Sequence, residues 1–152
     1  QIQQAGQALL HQAGYLQYEV SAYTRSQQPS QHNLNYWQFG DYIGIGAGAH
    51  GKLTQGSTIT RYWNRRHPKH YLKSEQVVDN QRLLKEDETA LEFMLNALRL
   101  YRPISVELFE SRTYQSYQSI IPILDKLQVE GLMYFDDQTF VLNLMHYYLH
   151  DF

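Results

Sequence analysis

The sequence predicts a mixed α/β chain that passes into a small helical unit with a winged-helix outline. Three observations predict it. A stretch with helical periodicity, Ile2 to Ala13, stops at Gly14 and is followed by a tyrosine-rich, strand-like run from Tyr15 to Tyr23. A second run, Asp41 to Ala49, alternates apolar residues with glycine, the pattern of a strand buried on both faces. After about Val77 the pattern turns helical and ends in a short hairpin signal, so residues 1–76 and 77–152 read as two parts.

Each element has a local reason. Ile2, Ala5, Leu9, Leu10 and Ala13 fall near one helical face, and Gly14 sits where a left-handed stop is expected. Helix, glycine and strand make one step of an α/β layer. Arg25 to Gln31 is polar, with Pro29 and two serines, and reads as a loop. A helical turn around Leu34 to Phe39 is closed by Gly40. The strand at Asp41–Ala49 follows, and Tyr42–Ile45 is expected to lie parallel beside Tyr18–Ser21. Lys52–Gln55 and Thr58–Tyr62 read as a hairpin about Gly56, and His67 to Ser74 as a basic connector. Beyond Gln81, Lys85–Tyr101 carries the stripe Leu91, Met94, Leu95, Leu98 and Tyr101. That stripe is expected to pack on Ile120, Ile123 and Leu127 of a helix spanning Ser116–Glu130. Between them Pro103 stops one helix, and Ser105 caps a short one through Phe109. Gly131 ends the Ser116 helix, Leu132–Phe135 and Thr139–Leu142 form a wing, and Leu144–Phe152 reads as a last helix.

Composition narrows the function. The 152 residues carry a net charge of −2, which argues against a general polyanion binder. Ser116–Glu130, where a winged unit would read DNA, has one lysine, Lys126, against Asp125 and Glu130, so no nucleic-acid partner is expected. No apolar run is long enough to span a bilayer, and Gln1–Gln7 lacks the pattern of a signal peptide. The missing initiator methionine suggests a cut or processed chain. With no cysteine there is neither a disulfide nor a thiolate ligand for an iron–sulfur cluster. Thirteen tyrosines leave enough for both a core and an aromatic pocket.

The residues themselves offer several candidate sites. His32 reads either as a loop histidine with local hydrogen bonds or as an axial ligand to heme iron. Tyr36 and Trp37 could cover a flat ring, and Asn33 or Asn35 could orient it. The glycine run reads as dense packing or as the end of a strand against a ligand. It lacks the helix that a dinucleotide fingerprint needs after it. His50 could face the same ligand, though a structural role fits it as well. Arg61, Arg65, Arg66, His67, Lys69 and His70 form a basic cluster, either a solvated face or a partner for carboxylates. His146 and His150 are four apart on the last helix, too few to define a metal site. Glu19, in an aromatic strand, should be partly buried, paired with a cation or hydroxyl.

Three blocks carry a resemblance: Tyr18-Glu19-Val20-Ser21-Ala22-Tyr23, His32-Asn33-Leu34-Asn35-Tyr36-Trp37, and Gly40-Asp41-Tyr42-Ile43-Gly44-Ile45-Gly46-Ala47-Gly48-Ala49-His50-Gly51. They resemble the radical S-adenosylmethionine (SAM) family of oxygen-independent coproporphyrinogen oxidases and their relatives, most of all its heme-chaperone branch. Glu92-Phe93-Met94-Leu95-Asn96-Ala97-Leu98-Arg99-Leu100 is similar to the start of that branch's C-terminal domain. The resemblance implies the last strands of a partial radical SAM (β/α) barrel over 1–76 and a winged-helix-like domain over 77–152. It implies heme binding at His32, Asn33, Tyr36 and Trp37, with His32 on the iron, and SAM near Gly46, Ala47 and Gly48. The parent would hold a [4Fe–4S] cluster on cysteines absent here, so this chain is not expected to be active alone. The implied partners are heme or porphyrin, the N-terminal part of the same protein and heme-accepting proteins. The implied parent is cytoplasmic, with room for peripheral membrane association. The other reading within the family is a coproporphyrinogen III dehydrogenase, an enzyme of porphyrin synthesis.

Overall fold

A computed structural model of the chain describes residues 2–143. The expected helix at Leu144–Phe152, with His146 and His150, lies outside the described residues. Helix α1, Ile2–Gln12, ends as expected at Gly14, whose φ of +78° a side chain would strain. It buries none of its residues: Ile2 is 92% and Leu9 67% exposed. The next run is two strands rather than one. β1, Leu16–Glu19, folds back through Val20 and Ser21 onto β2, Ala22–Thr24, in an antiparallel ribbon.

Helix α2, Gln31–Trp37, begins one turn earlier than expected, because Ser30 accepts a hydrogen bond from the Asn33 backbone N–H. His32 therefore stands on the first turn of a helix, not in a loop. Phe39 follows at φ +58° and is buried in the core.

The glycine run is not the strand predicted for Asp41–Ala49. It touches the sheet through one antiparallel bridge, Tyr42 to Lys52, and does not pair with Tyr18–Ser21. Ile43 and Ile45, expected to be buried, are 72% and 85% exposed. The reason lies in where the run's hydrogen bonds go. Gly44 and Gly46 N–H donate to the hydroxyls of Tyr62 and Tyr71, and their carbonyls accept from the Asn64 side chain. Side chains thus hold this backbone where a neighbouring strand would.

The predicted hairpin is present as β3, His50–Gln55, and β4, Thr58–Asn64, turning at Gly56. Strand β5, Val78–Leu83, joins β4 on its other edge, so the sheet continues across position 77. Between them lies α3, Pro68–Lys73. Helix α4, Glu86–Ala97, starts with three acids in its first turn, where the helix dipole favours them.

Then come β6, Ile104–Ser105; α5, Val106–Thr113; a 3₁₀ turn, Tyr117–Ser119; α6, Ile121–Val129; β7, Met133–Phe135; and β8, Thr139–Leu142. Their sheet order, β6-β8-β7, after helix, strand, helix, helix and hairpin is the winged-helix arrangement. Ser105 caps α5 by accepting from the Leu108 N–H, and Pro122 sits in the first turn of α6, where no N–H is needed.

The core joins the two parts: Phe39 and Ile59 from the first pack with Phe93, Ala97, Phe109, Leu124, Met133 and Phe140 from the second. Helix α4 meets it with Thr89, Phe93 and Ala97. The expected stripe is inward only in part: Met94 and Leu98 pack against the core, but Leu91 and Leu95 are 60% and 65% exposed. On α6, Leu124 rather than Ile123 is buried. Among the described residues no helix is long and apolar enough to cross a membrane.

Candidate functional site

Helical spacing divides the block on α2 into two pairs. His32 and Tyr36 are four apart and share one strip, and Asn33 and Trp37 share the next. The second pair is anchored. The Asn33 amide donates to the Tyr18 hydroxyl at 3.1 Å. The Arg99 guanidinium lies 4.3 Å from the centre of the Trp37 ring, a cation–π contact. Arg99 also donates to Glu19 at 3.3 Å and to the Ser21 hydroxyl at 2.8 Å, while its carbonyl accepts from the Val20 N–H. Glu19 pairs with a cation as its sequence context predicts, and is buried more completely than the partial burial expected. Arg99 is a neighbour of this block that the sequence did not reveal, because it is 80 residues from Glu19.

The first pair is presented. His32 is exposed, and its ring meets the Tyr36 ring at 4.9 Å and 68°. Among the described residues its ring nitrogens have no hydrogen-bond partner. Tyr36 packs on Tyr42 at 4.5 Å, and the Tyr42 hydroxyl accepts from Arg61 at 2.7 Å. Asn35 turns away and donates to the Asp41 carbonyl.

Beneath these rings is a buried cation. Lys52 is 2% exposed, lies 4.3 Å from the Phe39 ring centre and binds Asp41 at 2.8 Å. Burial pushes the Asp41 carboxyl up, but hydrogen bonds from Lys52 and Thr54 outweigh it and hold the group below its ordinary 3.8. Burial pushes Lys52 below its ordinary 10.5; Asp41 opposes this, and Arg61 and Arg112 add to it. A 2.8 Å contact, with two further Thr54 hydrogen bonds on the carboxylate, is that of an ionised pair.

The basic cluster does not act as one unit. Arg61 donates through Nε to Glu92 at 2.9 Å, and Arg65 through Nε to the Gln76 carbonyl. His67 caps α3 by accepting from the Lys69 N–H, and its ring sits 4.8 Å from His70. Arg66, Lys69 and His70 are exposed. Gly46, Ala47 and Gly48 form a separate turn. The Gly46 N–H is engaged by Tyr71 and the Gly48 N–H by the Arg65 carbonyl, so neither is free for a phosphate or carboxylate. None of these hydrogen bonds reaches α2.

No protein-family model matches the chain. It aligns with the Haemophilus influenzae protein named heme chaperone HemW at 44% identity over 116 residues, 76% of this chain and 30% of that one. The Escherichia coli heme chaperone HemW aligns at 40% over 129 residues, 84% of this chain and 34% of its own. The chain is a HemW homologue. It spans about a third of the length of these HemW relatives. A shorter match, 51% over 55 residues, is to the Bos taurus radical S-adenosyl methionine domain-containing protein 1, mitochondrial, covering 36% of this chain and 12% of that one. Among solved structures, the Escherichia coli coproporphyrinogen III oxidase HemN, a radical SAM enzyme, superposes with a TM-score of 0.62. That overlap covers 95% of this chain and 38% of HemN at 14% identity, and is a likeness of fold. A cysteine-ligated cluster does not fit these residues, since there is no cysteine to hold it.

Proposed function

We propose that this chain is the C-terminal part of a radical SAM protein of the HemW type, and that it supplies a surface that carries heme. The observation that carries the reading is the division of α2. Asn33 and Trp37 fix the helix to Tyr18 and Arg99, while the His32 imidazole stands in solvent with Tyr36 against it. An imidazole without a hydrogen-bond partner is a ready axial ligand for heme iron, and an adjoining aromatic ring can cover the porphyrin. Asn33 and Trp37 then act as positioning residues. An exposed ligand suits a carrier that must release its cargo, and affinity on the order of micromolar, about −8 kcal/mol, is expected. SAM would meet Gly46, Ala47 and Gly48 through their Cα surfaces, since the N–H groups of the two glycines are taken. The cluster would come from the remainder of the parent, and heme-accepting proteins would be its partners.

Titration of hemin into the wild-type chain and His32→Ala, followed at the Soret band, tests this. Wild type should show the band of a histidine complex, and the variant should lose most of that shift. Equal spectra would remove His32 from the site.

A further inference from the structure

Tyr42, Lys52, Arg61 and Arg82 are successive cross-strand neighbours in one row. Neighbours in such a row share a face, so three cations stand side by side, which is unfavourable unless each is answered. Asp41 answers Lys52, and helix α4 answers the other two. Arg82 donates to Glu88 at 2.8 Å, and Arg61 donates to Glu92 through both Nε and Nη2. That fork leaves Nη1, which donates to the Tyr42 hydroxyl at 2.7 Å.

Tyr42 is where the charged row meets α2. Its ring lies 4.5 Å from that of Tyr36, and the Tyr36 ring lies 4.9 Å from that of His32. Asn33 and Trp37 anchor the neighbouring strip of the helix, so the restraint on Tyr36 comes through Tyr42. A cavity of about 40 Å³ opens between Tyr36, Tyr42, Lys52, Arg61 and Asn96. A tyrosine ring that is not held could tilt into that space. The Arg61 bond holds Tyr42 against it.

We propose that Arg61 is a positioning residue of the His32 surface: fixed by Glu92, it holds Tyr42, and Tyr42 holds Tyr36 against the imidazole. The proposal rests on the reading of His32 as a heme ligand. Arginine suits the role because one planar fork serves Glu92 and Tyr42 together, whereas a lysine ammonium is a single point charge. A ring fixed beforehand lowers the ordering cost of binding, and its loss should appear mainly as faster release.

The test loads the 152-residue chain with hemin and follows its transfer to excess apomyoglobin by stopped-flow at the Soret band. Tyr42→Phe deletes only the hydroxyl, and Arg61→Lys removes the fork. Each should keep the wild-type Soret position but release hemin about fivefold faster, the effect of one neutral hydrogen bond. In a Tyr36→Ala background Tyr42→Phe should change release by less than about twofold, because the ring it positions is gone. An equal acceleration in both backgrounds would make the hydroxyl contact merely structural and overturn the proposal. Release at the wild-type rate in either single variant would also overturn it; if His32→Ala still loses the ligation band, the ligand reading then stands alone. His32→Ala with the wild-type band would overturn both.

Discussion

Asp41 is the residue on which the acid stability of this chain should turn. Its folded-state pKa is held below 3.8, because hydrogen bonds from Lys52 and Thr54 exceed the opposing effect of burial. A carboxyl depressed in this way contributes stability that is complete above its unfolded value. That contribution is lost as pH falls through the lower, folded-state value. Asp41→Asn leaves the Lys52 ammonium at 2% exposure without its counter-ion. Removing one partner of a buried pair costs about 3–5 kcal/mol; Asp41 is 39% exposed, so the low end of that range is expected near neutrality. Urea unfolding from pH 6 downward should show the wild-type advantage shrinking below 3.8, since a protonated Asp41 is the near-equivalent of asparagine. A difference that stays constant to the lowest pH would mean that the pair does not govern this limb. None of this was legible beforehand. Lys52 reads as an ordinary hairpin lysine, and its burial depends on Phe39, 13 positions earlier and placed by a left-handed turn.

At the scale of elements, α4 shows why periodicity identifies a helix better than its buried face. Its sequence carries two apolar stripes: Leu91, Leu95 and Leu98 form one, and Phe93 with Ala97 and Ala90 the other. Period alone permits either inward. The choice is made by Phe39 and Phe109, whose rings meet Phe93 edge-on at 6.0 and 5.3 Å. Phe93→Ala should therefore cost about 3–5 kcal/mol, and Leu95→Ala less than about 1 kcal/mol, by chemical denaturation. Equal losses would restore the leucine stripe to the core. The glycine run failed for a related reason. Alternation predicts a strand only if a neighbour exists, and here the hydroxyls of Tyr62 and Tyr71 and the amide of Asn64 take the neighbour's place. By contrast, α1, the β3–β4 hairpin, the Ser105 cap and the wing were legible because each is specified by adjacent residues. The α2 block was legible as a site. Its division into presented and anchored pairs was not, since the anchors Tyr18 and Arg99 are far apart in sequence and meet only in the fold.

At the scale of the molecule, the change of composition near Val77 does not coincide with a gap in the structure. Strand β5 lies after it in sequence yet pairs along β4, from Thr60 to Asn64. Arg61 is tied to Glu92, and Ile59 is part of the core that the winged unit closes. At the other end, Arg99 holds Glu19, Ser21 and Trp37, and Glu19 bridges Leu100. Two units joined through a sheet edge, a shared core and a charged clamp should unfold together. Both tryptophans, Trp37 and Trp63, lie before Val77, whereas α4, α5 and α6 lie after it. Tryptophan fluorescence therefore reports on the first part, and far-UV circular dichroism on the helices of both, α1 to α3 before Val77 and α4 to α6 after it. In urea the two signals should trace one coincident transition. A fluorescence midpoint separated from the dichroism midpoint would show that residues 1–76 and 77–152 are independent folding units. The α2 helix would then keep its geometry without the winged unit, and Arg99 would no longer be needed to hold Trp37 in place.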